Sequence, residues 1–259
     1  MSAALEVRQL SKTLKTGERL VEDVSFRVET GEFVALIGAS GAGKSLTLRC
    51  ILGLTTPTAG RVLFTDRRGK NHELTEAKRK GLREARGKMG VIFQGANLVA
   101  RLTALENVMI GGLGRVHPLR AWLYGFTTAE AERALEALAQ TDTEALAERV
   151  TETLSGGEMQ RVAIARALYQ RPDIFFADEP ISALDPKNAQ AVMEFLKPLA
   201  AHTPVLGVFH QPDMVARYCT RCIALKHGRV IYDGPPQLPQ ETLETIYGAE
   251  LGSLSRAAE

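Results

Sequence analysis

Short apolar runs recur along the chain at residues 33–37, 89–93, 174–177, 205–209 and 222–225. Each run is continuous rather than alternating, which suits strands buried on both faces of a sheet. Helical patterns lie between them, for example over 189–199. Strand and helix signals in alternation predict a mainly parallel sheet covered by helices. The first thirty residues read differently. Polar and apolar positions alternate around a Lys15-Thr16-Gly17 turn, which predicts short strands in an antiparallel edge layer. From about residue 97 to 153 the strand-like runs stop, and 128–146 is rich in Ala, Glu and Leu at helical spacing. That segment predicts a helical subdomain inserted into the α/β core. After Pro235-Pro236 the pattern predicts a helix over 241–247 and a loose tail.

At 259 residues the chain has room for one large domain or two small ones. The formal net charge of +2 provides no bulk drive toward nucleic acid or anionic lipid. No apolar stretch approaches the roughly eighteen residues that span a bilayer. Glu6 and Arg8 come early with no apolar h-region, so no signal peptide is expected. The expected location is the cytoplasm, with any membrane role supplied by a partner. Cys219-Thr220-Arg221-Cys222 has the spacing of a metal or redox pair, but no second pair accompanies it. The simpler expectation is reduced thiols beside a buried strand. Arg67, Arg68, Lys70, Lys78, Arg79, Lys80, Arg83, Arg86 and Lys88 form a basic stretch, expected to be a solvated face of a helix and loop. A near-zero net charge argues against nucleic-acid binding there.

Gly38-Ala39-Ser40-Gly41-Ala42-Gly43-Lys44-Ser45 satisfies the phosphate-loop pattern, and a strand signal precedes it while a helical one follows. The glycines allow backbone N–H groups to turn inward around phosphate oxygens, and the helix N-terminus adds positive dipole. Lys44 is expected to reach the β- and γ-phosphates, Ser45 to ligate Mg²⁺, and the nucleotide-binding stretch to run on through Leu46. The run 174–177 ends in Asp178 and Glu179. Beside a phosphate loop, Asp178 is the candidate magnesium acid and Glu179 the candidate to polarise the attacking water.

Leu154-Ser155-Gly156-Gly157-Glu158-Met159-Gln160 opens another helical pattern. Ser155 and Glu158 have capping-box spacing. Two glycines there weaken a good helix former, each by roughly 1 kcal/mol relative to alanine. Close approach of a ligand phosphate to Gly156 and Gly157 would account for them.

Together with Gln94, the run Ser182-Ala183-Leu184-Asp185 and His210, these motifs resemble the ATP-binding-cassette ATPases over nearly the whole chain. The resemblance implies an α/β P-loop NTPase fold: a RecA-like core with an N-terminal antiparallel β layer and an inserted α-helical subdomain. The implied divisions are 1–96 with 155–235 for the core, 97–154 for the helical insertion and 236–259 for a C-terminal helix and tail. It implies a homodimer that holds ATP and Mg²⁺ between the phosphate loop of one subunit and the Ser155–Glu158 turn of the other. Gln94 corresponds to the glutamine that senses magnesium and γ-phosphate, His210 to the histidine that contacts γ-phosphate, and Asp185 to the acid that crosses the dimer interface. Two positions depart from the family pattern. Leu14 stands where an aromatic residue usually stacks on adenine, and Glu158 where glutamine is commoner.

Within the family the nearest likeness is to the ATPases of phosphonate importers, carried by 92–99, 101–108, 177–185 and 230–235. Motors for phosphite or hypophosphite would look much the same. The resemblance implies integral-membrane permease partners, an indirect substrate-binding protein, and a peripheral place on the cytoplasmic face of the bacterial inner membrane. Trp122, Leu123, Tyr124 and Phe126 read either as core of the helical insertion or as the lining of a groove for a permease helix. A soluble cassette protein acting on nucleic acid or ribosomes usually has tandem cassettes or a coiled-coil insertion, and neither is present. A P-loop kinase would leave residues 154–160 unexplained.

Overall fold

The computed structural model describes residues 3–115 and 126–248. Two sheets and eight helices lie within them. The strands are β1 (Ala3–Thr13), β2 (Arg19–Glu29), β3 (Phe33–Ile37), β4 (Ala59–Thr65), β5 (Asn71–Glu73), β6 (Met89–Ile92), β7 (Ile174–Asp178), β8 (Val205–Val208), β9 (Arg221–Lys226) and β10 (Arg229–Gly234). The helices are α1 (Lys44–Ile51), α2 (Arg79–Arg86), α3 (Ala104–Ile110), α4 (Thr128–Ala139), α5 (Gly156–Tyr169), α6 (Pro186–Ala200), α7 (Pro212–Tyr218) and α8 (Gln240–Tyr247).

The larger sheet has the order β10-β9-β3-β8-β7-β6. Five of its strands are parallel and β10 is an antiparallel edge. The continuous apolar runs of its strands serve two cores at once. In β3, Val34 and Leu36 face a core shared with the smaller sheet, while Phe33, Ala35 and Ile37 face a second core under α5, α6 and α7. Phe33 and Phe209 meet edge-on in the second core, with centroids 5.9 Å apart.

The smaller sheet, β2-β1-β4-β5, is antiparallel and separate from the larger one. The N-terminal strands are therefore not short pieces of an edge layer. Each runs eleven residues, and register shifts bend β1 over the core. The β4–β5 turn is tied by a buried acid. Asp66 accepts the Arg68 and Lys70 amides at 2.9 and 3.0 Å and His72 Nε2 at 3.1 Å, and it pairs with Lys88. Burial alone would raise its pKa, but Lys88, His72 and the two amides outweigh that and hold the carboxyl well below its usual range.

A third core joins α3, α4 and α5 through Ala104, Val108, Ala134, Leu138, Val162 and Ala165. Because α5 also sends Ile164 and Ala167 into the second core, it is the element common to both. The helical signal over 128–146 overruns the helix found, which ends at Ala139. The Thr141 and Thr143 hydroxyls both donate to the Leu138 carbonyl, and Asp142 turns left-handed at φ 52°. These hydroxyls compete with the helical bond and stop it. A short 3₁₀ turn over Glu144–Leu146 follows.

Candidate functional site

The phosphate loop joins β3 to α1 and is held by two distant segments. A side chain at Gly38 would meet the Leu225 carbonyl at 2.3 Å, and one at Gly43 the Leu20 carbonyl at 2.6 Å. Gly43 is the left-handed N-cap of α1, at φ 95°. Lys44 is buried, and its Nζ donates to the carbonyls of Gly38 and Ala39 at 2.7 and 2.9 Å. Burial lowers its pKa, while the charges of Glu179 and Asp178 oppose that. The lysine thus braces the loop, with its ammonium near the charges of Glu179 and Asp178.

Asp178, at the end of β7, is buried and hydrogen-bonded to Ser45. Burial raises its pKa, partly offset by Ser45 and Arg49. Its Oδ1 is buried without a partner, which is unfavourable unless a cation or water binds there. Hard oxygen donors from Ser45 and Asp178 fit Mg²⁺, an ion that keeps several waters and takes few protein ligands. Among the described residues no cluster of three or more His, Cys, Asp or Glu could hold a metal. A magnesium ion here would rest on few protein groups and mainly on the nucleotide's own oxygens.

Glu179 sits just beyond β7 in the left-handed region, at φ 51°. Its Oε1 lies 2.6 Å from His210 Nε2, and its Oε2 accepts Gln94 Nε2 at 3.0 Å. Gln94 follows β6, Glu179 follows β7 and His210 follows β8, so three neighbouring parallel strands present them at one carboxyl edge. The phosphate loop leaves β3, the next strand along. A non-glycine residue in the left-handed region costs about 1–3 kcal/mol and persists where its surroundings impose it. Here the Glu179 amide donates to the Val208 carbonyl at 3.2 Å and the Ser182 hydroxyl to the Glu179 carbonyl at 3.1 Å.

Ser155 is the N-cap of α5, and its bonds stay within its own turn. Its oxygen accepts the Glu158 amide, while Glu158 Oε2 accepts both the Ser155 amide at 2.7 Å and the Ser155 hydroxyl at 2.8 Å. Those bonds, the amide first, hold the Glu158 carboxyl below its usual range. The two glycines that follow have different reasons. A side chain at Gly157 would strike Asn188 at 2.4 Å, whereas one at Gly156 meets only Leu184, at 3.9 Å. Gly157 is therefore fixed by packing inside the chain, which narrows the ligand argument to Gly156. Asn188 belongs to α6, whose N-cap is Asp185. Asp185 accepts Asn188 Nδ2 at 2.5 Å and the amides of Lys187 and Asn188 at 3.1 Å.

The expected residues thus form two groups. Residues 38–46, Gln94, Asp178, Glu179 and His210 gather around the phosphate loop. Ser155, Gly156, Gly157 and Glu158 lie with Asp185 in a second group, and no hydrogen bond among the described residues links the two. Leu14 is exposed, on the β1–β2 turn. Cys50, Cys219 and Cys222 are buried free thiols, and burial pushes Cys222 up to about 12. In the basic stretch Arg67 pairs with Asp173 and Lys70 with Glu84, while Arg79, Lys80 and Arg83 are exposed. Of the four apolar residues near 124, Phe126 packs half-buried on the third core; Trp122, Leu123 and Tyr124 lie outside the described residues.

Arg166 of α5 was not foreseen. It lies at a groove of about 390 Å³ between the α/β core and the third core, lined also by Leu52, Leu54, Val91, Phe93 and Ile110. The only signal in the sequence is a single cation within the apolar stretch 162–169 of that helix.

The profile of the family described as "ABC transporter" matches residues 21–182. The "Phosphonates import ATP-binding protein PhnC 2" of Cupriavidus necator is 40% identical, over 98% of this chain and 90% of its own length. The PhnC protein of Treponema denticola, with the same import name, is 41% identical over 92% of this chain and 93% of its own. Among solved structures, the cassette MJ0796, a dimer in a post-hydrolysis state bound to ADP and Pi, superposes with a TM-score of 0.76. It is 34% identical, over 91% of this chain and all of that one. The ADP conformation of the cassette MJ1267 gives 0.80 at 25% identity, over 99% of both chains.

Proposed function

The chain belongs to the ABC transporter family, and from that premise we propose that it is the ATP-hydrolysing subunit of a phosphonate importer. The observation that carries the hydrolytic reading is the carboxylate of Glu179, held between Gln94 and His210 beside the Ser45–Asp178 pair. The phosphonate assignment rests on the import name of relatives about 40% identical over almost the whole chain.

In this reading Lys44 leaves the Gly38 and Ala39 carbonyls for the β- and γ-phosphates, and the loop amides cradle the rest. Ser45 and Asp178 would hold Mg²⁺, with Gln94 as a further contact. The ion's contribution is to neutralise charge on the phosphates during transfer. Glu179 retains lone pairs after accepting from Gln94 and His210, so it can orient a water for in-line attack on the γ-phosphate. His210 steadies that carboxylate and faces the γ-phosphate. The Ser155–Glu158 turn completes the site from a second copy of the chain, and Asp185 lies at the same interface. ATP then closes the dimer and hydrolysis reopens it.

No helix among the described residues is long and apolar enough to cross a membrane. From the importer family we infer that the transport path belongs to integral-membrane permease subunits, with a substrate-binding protein acting through them and this chain peripheral on the cytoplasmic face. The groove that contains Leu54 and Phe93 is the proposed seat of a permease helix.

Two measurements test the proposal. Glu179→Gln is expected to lower turnover by ~100-fold or more while trapping an ATP-bound dimer on gel filtration. Turnover at the wild-type rate would remove Glu179 from the mechanism. In membranes with the cognate permease and binding protein, phosphonates should stimulate ATP hydrolysis above phosphate, phosphite or amino acids. Equal stimulation by phosphite or phosphate would reject phosphonate as the preferred substrate.

A further inference from the structure

The turn that follows Gln94 contains three consecutive left-handed residues: Gly95 at φ 73°, Ala96 at 62° and Asn97 at 49°. Glycine adopts this region freely and asparagine tolerates it, but alanine does not adopt it without outside support. A local bond from the Asn97 amide to the Gly95 carbonyl, at 2.7 Å, tightens the turn. Ala96 is almost fully buried, so its conformation is not relaxed by solvent.

The support comes from one side chain. Arg166, on the third turn of α5, donates to the Ala96 carbonyl through one terminal nitrogen at 2.9 Å and to the Asn97 carbonyl through the other at 2.7 Å. The planar fork of a guanidinium matches two adjacent carbonyls as a single ammonium cannot. No carboxylate pairs with Arg166 among the described residues. Burial alone lowers the pKa of the guanidinium, with no acid nearby to raise it. A cation partly buried against two neutral carbonyls is an expensive arrangement for packing alone. Gly111, at the end of α3, makes room for it, since a side chain there would meet Arg166 Cγ at 2.8 Å.

We propose that Arg166 is a positioning residue for ATP hydrolysis: it holds the 95–97 turn in its strained form and so sets where Gln94 stands against Glu179. The inference rests on the reading of Gln94 and Glu179 as hydrolytic residues. It also gives α5 a second task. The helix that Ser155 caps reaches, eleven residues on, the backbone that aims Gln94. The bridge lies in the lining of the groove with Phe93 and Asn97, so a permease helix seated there would press on the pin itself.

The test is a double-mutant cycle on the full chain, reading kcat and KM for MgATP together with the Kd of a fluorescent ATP analogue. Arg166→Ala should lower kcat about tenfold and leave Kd within about twofold. In a Gln94→Ala background, Arg166→Ala should add nothing further to the loss in kcat. Ala96→Gly, which accepts the left-handed turn without help, should restore much of the activity of Arg166→Ala. Arg166→Lys keeps the charge but cannot serve both carbonyls, and should fall near the alanine variant; it carries the cycle if the alanine variant does not fold. Multiplicative losses in the double variant, or no rescue by Ala96→Gly, would overturn the inference while leaving the site reading intact. Normal turnover by Gln94→Ala alone would overturn the reading of Gln94 and the inference with it.

Discussion

Gly156 and Gly157 are adjacent, yet the structure predicts opposite outcomes for the same substitution at each. At Gly156 an added methyl group meets only Leu184, at ordinary van der Waals distance. Alanine in place of glycine in a helix contributes up to about 1 kcal/mol, and nearer 0.5 in a first turn. For a chain of this size that is a rise of ~1–2 °C in Tm. At Gly157 the methyl group must displace the Asn188 side chain, which bonds Asp185 at 2.5 Å and lies 3.4 Å from Arg161. Overpacking of this kind costs about 1–3 kcal/mol. The Asn188 side chain can swing outward, so the lower half of that range applies. After the propensity gain, a net loss of about 1 kcal/mol remains, or ~2–4 °C. Activity separates the two differently. Gly156→Ala should be at least as stable as wild type and yet lose ~10-fold or more in ATPase activity, because its methyl group occupies the space a phosphate from the second copy would enter. Calorimetry gives the Tm values, and gel filtration of the same variants in a Glu179→Gln background reports dimer trapping. A Gly156→Ala protein with raised Tm and full turnover would refute the shared-nucleotide reading of this turn. A more stable Gly157→Ala protein would refute the packing argument.

Three further outcomes are expected. Asp66→Asn should lower Tm at pH 7 by roughly 4–8 °C, for charge-assisted bonds worth about 2 kcal/mol. Because the folded-state pKa of Asp66 is depressed, its contribution is complete above the unfolded carboxyl value near pH ~4 and fades as pH falls further. The two melting curves should therefore converge in acid, and a gap that stays constant below pH ~4 would refute the charge assignment. Leu14→Tyr should tighten ATP binding about fivefold or more, since base stacking on an aromatic ring is worth about 1–3 kcal/mol. Unchanged affinity would place the adenine elsewhere. Cys222, pushed up to about 12 by burial, should resist a thiol reagent at pH 8 in the folded protein and react at once in guanidinium chloride.

The sequence made the parallel sheet legible because its strands alternate between two cores, which leaves continuous apolar runs. It did not make β4 and β5 legible. Their order depends on Asp66 meeting Lys88 and His72, contacts that no local pattern contains. Nor could helical propensity over 128–146 register the Thr141 and Thr143 hydroxyls closing on Leu138. The phosphate loop is read locally because strand, loop and helix are consecutive. The meeting of Gln94, Glu179 and His210 is not local. It follows from β6, β7 and β8 lying side by side, although α3, α4 and α5 intervene between the first two strands. Arg166 escaped notice because its partners are carbonyls, and every residue has one.

A hydroxyl carries one hydrogen. In the isolated chain Ser155 points its own at the Glu158 carboxylate, at 2.8 Å. A phosphate also needs a donor, so on the proposed reading an incoming nucleotide would compete with Glu158 for the same proton. Had position 158 been glutamine, its amide could have donated to the serine oxygen and left that hydrogen unclaimed. The turn is thus occupied by its own helix until something more strongly anionic displaces the carboxylate. If a second copy's nucleotide meets this turn, the first contact would be an exchange of acceptors rather than the filling of an open site.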